Sequence, residues 1–232
     1  MKEIIKKILP NSLFKLYRLV KKKMRFIPEN ERISFNINSI YSGHFKTTYR
    51  GVSAIRCPFD YVIYQMIISE LKPDLIIEIG TNYGGSTLYL ADLMQNIGNG
   101  IIHTIDIEDK VGKIIKNHPR IKHFVGGWQG YNLVDAGGFE KILVIEDSSH
   151  MYEDTLNVLN KFSPLVSIGS YFIVEDGIVN ELGRAEGFRG GPLRAIREFL
   201  SSHNNFVVDR TYCDMFGKNA TFNVNGYLKR IK

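Results

Sequence analysis

Residues 73–90 read P-D-L-I-I-E-I-G-T-N-Y-G-G-S-T-L-Y-L, and this stretch decides the fold. Leu75–Ile79 is an apolar run with a single acidic residue, a pattern typical of a parallel strand buried on both faces. The run stops at Gly80, and apolar residues then recur with helical spacing over residues 90–97. The sequence therefore predicts a strand, a glycine-rich loop and a helix that begins near Ser86.

A loop of this kind brings a ligand against the backbone N–H groups at the start of a helix. A dinucleotide-binding loop needs a second glycine where this chain has Asn82, and a P-loop needs a lysine that this stretch lacks. The spacing E-x-G-x-x-x-G instead resembles motif I of class I methyltransferases, which bind S-adenosylmethionine (SAM). The predicted cofactor-binding residues here are Glu78, Gly80, Thr81, Asn82, Gly84 and Ser86. A plain packing turn is the alternative.

Strand and helix patterns alternate along the rest of the chain, which indicates an α/β protein. The further strands are predicted at residues 101–105, 121–125, 142–145, 171–174, 206–210 and 220–231. The helices are predicted at residues 58–72, 108–117 and 151–163 and from residue 192. Such alternation predicts a doubly wound, mostly parallel seven-stranded sheet, Rossmann-like, with helices on both faces. We assign it to residues 58–232, after an irregular segment at 27–57.

The basic charge of the chain is confined to its N-terminal tail. Residues 1–26 hold nine Lys and Arg against one Glu, a net charge of +8, whereas the remainder has a net charge of −2. This distribution argues against a nucleic-acid-binding face on the domain. After a short helix ending at Pro10, the tail reads as a basic amphipathic helix suited to an anionic membrane surface. Packing of this helix on the domain or on a second subunit is the alternative, so homo-oligomerisation stays open.

The cysteines and the hydropathy of the chain indicate the cellular compartment in which the protein works. Cys57 and Cys213 are far apart and in no metal-ligand spacing, so they read as free thiols in a reducing compartment. No apolar run approaches the length of about 20 residues that a membrane-spanning helix needs. We therefore expect a cytoplasmic protein, with peripheral contact at the inner face of the membrane if the tail binds lipid.

Acidic residues stand at the predicted strand ends, where open parallel sheets bind their ligands. Asp106 follows the second strand, where a carboxylate can accept both ribose hydroxyls of an adenosine, although a helix cap is the alternative. Asp147, Glu175 and Asp176 end two neighbouring strands. Three uncompensated carboxylates would repel one another unless they shared a cation such as Mg²⁺ or Ca²⁺. His150, on the first turn of the next helix, is placed as a general base. The alternative is a set of helix caps with a satisfied histidine.

These motifs resemble the cephalosporin-hydroxylase/rhamnosyl O-methyltransferase family of class I SAM-dependent enzymes from about residue 49 to the end of the chain. The matching stretches are E-I-G at 78–80, G-G-S at 84–86, D-S-S-H at 147–150, V-E-D-G at 174–177, G-P-L at 191–193 and G-Y-L at 226–228. The resemblance implies methyl transfer from SAM to a hydroxyl with a divalent metal, Mg²⁺ or another. It implies Asp147, Glu175 and Asp176 as metal ligands, His150 as the base, and contact of Asp147 with the cofactor.

One position departs from the family pattern. Residues 126–129 read G-G-W-Q where the family commonly has an acidic residue near the adenine, so we expect Trp128 to cover the adenine instead, with a differently built edge as the alternative. Residues 177–191 read as a mobile lid over the acceptor, with a surface loop as the alternative.

The acceptor is predicted only by class, as a small molecule or glycan with vicinal hydroxyls. Vicinal hydroxyls indicate a sugar, a catechol or a glycosylated natural product, and the tail, if it contacts a membrane, favours a lipid-linked or surface-polysaccharide sugar. A non-heme iron hydroxylase, which needs two histidines and a carboxylate, and a non-catalytic SAM-binding subunit stay open as alternatives.

Overall fold

A computed structural model describes residues 11–23 and 28–232 of the chain. The short helix predicted before Pro10 and the end of the tail at 24–26 lie outside the described residues. Contacts divide the chain into two units, residues 1–36 and residues 37–232. Among the described helices, none combines the length and the apolar character needed to cross a membrane.

The described chain alternates strands and helices, as predicted. The α-helices are α1 (Asn11–Lys23), α2 (Ile37–His44), α3 (Pro58–Leu71), α4 (Gly85–Asn96), α5 (Lys113–Lys116), α6 (Gly127–Gly130), α7 (Tyr152–Phe162), α8 (Gly191–Ser202) and α9 (Arg210–Cys213). The strands are β1 (Thr48–Tyr49), β2 (Val52–Ser53), β3 (Leu75–Ile79), β4 (Ile101–Asp106), β5 (Ile121–Val125), β6 (Ile142–Glu146), β7 (Tyr171–Val174), β8 (Phe206–Val208) and β9 (Tyr227–Arg230).

The large sheet has seven strands in the order β5-β4-β3-β6-β7-β9-β8. The strands from β5 to β7 are parallel, and β9 joins β7 and β8 antiparallel. The chain moves outward from β3 to β5 and then returns to place β6 on the other side of β3. The strand order therefore reverses between β3 and β6, and ligands of such sheets bind at that crevice. The predicted doubly wound, mostly parallel fold is confirmed.

Strand β3 contributes to both cores because its side chains alternate between the two faces of the sheet. Leu75, Ile77 and Ile79 pack in the cluster that includes residues of α7 and α8. Ile76 packs on the opposite face, in the cluster that includes residues of α3 and α4. All five residues of β3 are buried, including Glu78, which is why the sequence pattern is continuous rather than alternating.

The element boundaries differ from the predicted ones at three places. The helix predicted at 108–117 is reduced to α5, because Gly112 is extended and the helix starts after it. The strand predicted at 220–231 is only β9, because turns with left-handed Asn219 and Asn225 come before it. Residues 37–57, predicted as irregular, contain α2 and the β1–β2 hairpin and belong to the second unit.

The hairpin is fixed against the glycine loop by close packing at Gly85. A Cβ atom there would lie 2.1 Å from the carbonyl oxygen of Ser53. We expect Gly85→Ala to lower the free energy of unfolding by about 1–3 kcal/mol, because the helix start and the hairpin must separate. Thermal denaturation of the purified protein measures this, at roughly 2–4 °C per kcal/mol for a domain of this size.

Gly43→Ala is the matched control, because a Cβ atom added at this position in α2 would have open space within 4 Å. It should leave the melting temperature unchanged or raise it slightly, since alanine is the better helix former. Equal melting temperatures for Gly85→Ala and the wild type would contradict the packing at this contact.

Candidate active site

A cavity of about 500 Å³ opens at the carboxyl ends of the parallel strands. This volume lies in the range of small-molecule sites. Loops after five neighbouring strands line it, at residues 80–82, 105–107, 127–129, 147–150 and 175–176. The cavity thus lies across the point between β3 and β6 where the strand order reverses.

The glycine loop after β3 borders this cavity through only part of its length. Gly80, Thr81, Asn82 and Ser86, four of the predicted cofactor-binding residues, are on the wall. Gly80 has a φ of +103°, and a Cβ atom there would lie 1.8 Å from the carbonyl oxygen of Asp147. Glycine at this position therefore allows the β3 and β6 loops to touch.

Glu78 and Gly84, the other two predicted cofactor-binding residues of this loop, do not line the cavity. Their contacts hold the loop in place. Glu78 is fully buried, and its Oε2 accepts hydrogen bonds from the Oγ1 of Thr87 at 2.5 Å and of Thr104 at 2.8 Å. Gly84 has a φ of +84° and faces Ile115, whose side chain a Cβ atom would meet at 2.8 Å. The first acidic residue of the motif thus ties β3 to β4 and α4.

Asp106 ends β4 on the cavity wall and holds two backbone groups. Its Oδ2 accepts from the N–H of Asn82 at 2.7 Å, and its Oδ1 from the N–H of Glu108 at 3.1 Å. The contact with Asn82 joins the loops after β3 and β4. Trp128, in α6, borders the same part of the cavity. The structure thus groups Asp106 and Trp128 with the glycine loop over β3, β4 and β5.

A group of metal-ligand type lies over β6 and β7. Asp147, His150 and Asp176 each offer one ligand atom, and these atoms all lie within 4.8 Å of one another. The Nε2 of His150 is 3.2 Å from the Oδ2 of Asp176. His150 is not on the first turn of the next helix, as predicted, because α7 begins two residues later at Tyr152.

Glu175, the third predicted metal ligand, is held by a residue that the sequence reasoning did not select. The Nη2 of Arg56 lies 2.5 Å from its Oε1, and the hydroxyl of Tyr64 donates to the same oxygen at 2.7 Å. Arg56 also reaches Asp147 at 3.5 Å and Glu78 at 3.8 Å. Its side chain has no exposed surface and lies 4.5 Å from the centroid of the Tyr64 ring.

Arg56 therefore compensates part of the negative charge that the sequence treated as uncompensated. Burial nevertheless raises the pKa of Glu175 to about 7, against the opposing effect of Arg56. Burial and the neighbouring Glu175 raise the pKa of Asp147 well above its usual range. Burial also raises the pKa of Glu78. One guanidinium does not fully balance these carboxylates, so the cluster can accept further positive charge.

Three residues other than glycine on the cavity wall have a left-handed backbone conformation. Asn82, His150 and Asp176, all on its wall, have positive φ values of 48°, 57° and 55°. A side chain in the left-handed region costs of order 1–3 kcal/mol, and such strain is often kept at functional sites. Each of the three residues lies in the loop directly after a strand of the parallel part of the sheet. Asn, Asp and His adopt this conformation more often than other residues with a side chain, but the sequence does not indicate which of them will do so.

The predicted lid at 177–191 forms two short 3₁₀ turns, Gly177–Val179 and Ala185–Phe188. Val179 and Phe188 border the cavity. The Nη1 of Arg184 donates to the hydroxyl of Tyr41 at 2.9 Å, and its guanidinium lies 4.7 Å from the centroid of that ring. The segment is thus fastened to α2, and its mobility stays a prediction.

Comparison with known proteins identifies the family. The model of the family described as Rhamnosyl O-methyltransferase/CmcI matches residues 41–231. The rhamnosyl O-methyltransferase of Mycobacterium tuberculosis is 31% identical over 207 residues, which cover 80% of this chain and 78% of that protein. The Mycobacterium leprae protein of the same name is 31% identical over 206 residues, covering 82% and 87%.

The chain belongs to the rhamnosyl O-methyltransferase/CmcI family. The enzyme class predicted from the sequence, a SAM-dependent O-methyltransferase, is confirmed by this membership. Solved structures share the fold. A CmcI structure with Mg and SAM has a TM-score of 0.62 at 21% identity, covering 90% of this chain and 86% of that one. The O-methyltransferase TomG of Streptomyces achromogenes, in complex with SAM, has a TM-score of 0.52 at 15% identity, covering 86% and 90%.

The buried arginine allows a direct test of the charge balance in the site. Arg56→Met should lower the free energy of unfolding by about 3–5 kcal/mol, because buried carboxylates lose their partner. Since the folded pKa of Glu175 is about 7, against an ordinary 4.5, this carboxyl is ionised mainly above pH 7. The loss should therefore be largest above pH 7 and smaller near pH 5. Denaturant unfolding at both pH values measures it.

Arg189→Met is the control for this substitution. Arg189 pairs with Glu153 on the surface, where its side chain is 67% exposed. Its loss should cost less than about 1 kcal/mol, because exposed ion pairs contribute little. Equal losses for the two variants, or a loss at Arg56 that is independent of pH, would contradict the charge balance.

Proposed function

We propose that this protein transfers the methyl group of SAM to a hydroxyl of a sugar, in a site that holds a divalent cation. The observation that carries the proposal is the group of Asp147, His150 and Asp176 beside the glycine loop of a methyltransferase fold. Rhamnose is the first sugar to test, because the relatives at 31% identity are named rhamnosyl O-methyltransferases. A surface polysaccharide or glycolipid is the class of natural acceptor that follows.

The donor set fits a hard divalent cation. Carboxylate oxygens are the ligands that Mg²⁺ prefers, and Asp147 and Asp176 present theirs to the same point. Burial and the neighbouring Glu175 raise the pKa of Asp147, so a cation bound beside it would stabilise the ionised carboxylate. We propose that Asp147 and Asp176 bind the cation directly. Glu175, which the sequence predicted as a third ligand, lies outside this group, because Arg56 reaches both of its carboxylate oxygens and Tyr64 donates to one of them.

The residues over β3, β4 and β5 fit the cofactor. Asp106 offers a carboxylate for the ribose hydroxyls, and Trp128 offers an aromatic surface for the adenine. Gly80, Thr81, Asn82 and Ser86 border the space between them and the acidic cluster. SAM, when bound, supplies an electrophilic methyl group on a positively charged sulfur. The carboxylates after β6 and β7, on the other side of these residues, suit a positively charged donor.

For this reaction the protein must position the methyl donor and the acceptor hydroxyl and provide a group that accepts a proton. When bound, the divalent cation supplies positive charge that orients neighbouring acceptor oxygens and lowers the pKa of the attacking hydroxyl. We propose that His150 takes the proton of that hydroxyl. The acceptor oxygen then forms its bond to the methyl carbon as the carbon–sulfur bond breaks, and the electron pair of that bond stays on sulfur. Correct placement alone can contribute about 7–11 kcal/mol to such a step.

Metal removal tests the proposal. The wild type should methylate phenyl rhamnoside with SAM, lose this activity in excess chelator and regain it with Mg²⁺, as followed by mass spectrometry. Asp176→Asn should weaken activation by Mg²⁺ at least about 10-fold, because a charged ligand is lost, while SAM binding by calorimetry stays unchanged. Asp154→Asn is the control, because Asp154 lines the cavity but lies outside the group of ligands. Chelator-resistant methyl transfer would refute the metal role.

A substitution at His150 distinguishes its role as a general base from a role as a metal ligand. His150→Ala should lower turnover by about 10²–10⁴, the usual contribution of a general base, and keep the rise in melting temperature that Mg²⁺ gives the wild type. Its residual rate should increase with pH, because the hydroxyl must ionise without help. Loss of the Mg²⁺ stabilisation in this variant would make His150 a ligand instead, and an unchanged rate would remove it from the mechanism.

We also propose that the tail attaches the enzyme to an anionic membrane. Leu13, Leu16 and Val20 are exposed on α1, and the basic side chains Lys15 and Arg18 lie on the same helix. Basic residues near an anionic surface contribute about 1 kcal/mol each. A protein lacking residues 1–26 should no longer sediment with anionic liposomes and should still methylate a water-soluble acceptor. Undiminished sedimentation of the truncated protein would contradict the proposal.

A further inference from the structure

The cavity has a second side, which the cofactor and the cation leave for the acceptor. The proposed cofactor residues follow β3, β4 and β5, whereas the remaining wall is made by α2, the segment after β7 and the turn before β9. Five rings form this wall: Tyr41, His44, Phe45, Phe188 and Phe222. Phe188 packs edge-on against His150 at 6.0 Å between ring centroids, which joins this wall to the acidic cluster.

His44 stands at the centre of these rings. Its ring centroid is 4.0 Å from that of Phe45, 4.7 Å from that of Tyr41 and 5.2 Å from that of Phe222. His44 itself is only 5% exposed, whereas Phe45 at the mouth is 53% exposed. An exposed phenylalanine that continues a row of rings into a cavity forms an apolar surface of the kind that binds ligands.

The backbone fixes the hydrogen positions on His44. Its Nδ1 is hydrogen-bonded to the carbonyl oxygen of Tyr41, and a carbonyl can only accept, so Nδ1 carries the hydrogen. In the neutral ring the other nitrogen, Nε2, is then an acceptor. Within residues 37–232 Nε2 has no hydrogen-bond partner, and it is not among the side-chain atoms sealed from solvent without one. Nε2 is therefore a solvent-accessible acceptor on a residue that lines the apolar wall of the cavity.

We propose that His44 and Phe45 bind the sugar ring of the acceptor. The inference rests on the proposed function and adds to it the means by which the acceptor is oriented. A neutral pyranose has hydroxyls around its rim and an apolar face of C–H groups. The C–H face packs on the ring of Phe45, and Nε2 of His44 accepts a hydrogen bond from a hydroxyl that is not methylated. His44 thereby determines which hydroxyl reaches the cation and His150.

Two substitutions distinguish this role from a purely structural one. Asparagine at position 44 can keep the donor at the Nδ1 position but has no group at the Nε2 position, whereas glutamine can place an acceptor near Nε2. His44→Asn should raise the KM for phenyl rhamnoside by about 3- to 10-fold, the effect of one lost hydrogen bond. His44→Gln should stay within about 3-fold of the wild type. The KM for SAM should not change in either variant.

A series of phenyl rhamnosides, each lacking one ring hydroxyl, identifies the partner of Nε2. Calorimetry in the presence of S-adenosylhomocysteine measures their binding without turnover. The wild type should bind one of the deoxy compounds about 3- to 10-fold more weakly than the parent, and His44→Asn should not distinguish those two. A structural role would weaken all the compounds alike. Equal discrimination by wild type and His44→Asn would overturn the proposal.

His203→Asn is the matched control. The Nδ1 of His203 is hydrogen-bonded to the carbonyl oxygen of Phe199 at 2.9 Å at the end of α8, the same arrangement outside the cavity lining. This variant should leave acceptor binding unchanged. If wild-type enzyme that binds SAM neither binds nor methylates any rhamnoside, the proposed sugar function fails, and this inference with it. If the wild type methylates phenyl rhamnoside and His44→Asn has an unchanged KM, only this inference fails.

Discussion

The site depends on one buried arginine that holds carboxylates from separate strands. Arg56 lies before α3 and reaches Glu78 of β3, Asp147 after β6 and Glu175 after β7. Without a shared cation these side chains could not be buried together in ionised form, because each would lose hydration and repel its neighbours. Arg56 holds the buried carboxylates of Glu78 and Glu175, which form the rear of the cluster. Asp147 and Asp176 form its front and are open to the cavity. The proposed divalent cation would bind at this front side of the cluster.

The topology explains why this cluster meets the cofactor site. Because the strand order reverses between β3 and β6, the loops that follow these strands diverge and leave a crevice. Gly80 lets the two loops touch at the base of the crevice, and Asp106 ties the glycine loop to β4. The cofactor side, the acidic cluster and the aromatic wall therefore follow one another along the carboxyl edge of the sheet, from β5 to β7. A methyl donor and a hydroxyl acceptor placed on the two sides would meet at the cluster.

The sequence was sufficient to predict the features that depend on local apolar patterns and on the residues at strand ends. Buried strands read as continuous apolar runs, and acids at their ends had to share one edge of the sheet, so β3 to β7, Asp106 and Asp147 could be anticipated. Arg56 could not, because it pairs with acids 91 and 119 residues away and no periodicity marks it. The left-handed conformation of His150 was missed for a related reason: the surrounding structure imposes it against the preference of the residue. In the sequence, His44 was one polar residue in a segment predicted as irregular. Only the packing of α2 shows that it lines the cavity.

The central claim is that Asp147 and Asp176 share a divalent cation in front of the Arg56-held cluster. Anomalous diffraction from crystals of the enzyme with SAM and Mn²⁺ tests it most directly. We expect one strong manganese peak with carboxylate oxygens of both aspartates at about 2.0–2.6 Å, the range of such metal–oxygen bonds. A cavity with SAM bound and no peak between these carboxylates at saturating Mn²⁺, or a peak bound elsewhere in the cavity, would contradict it.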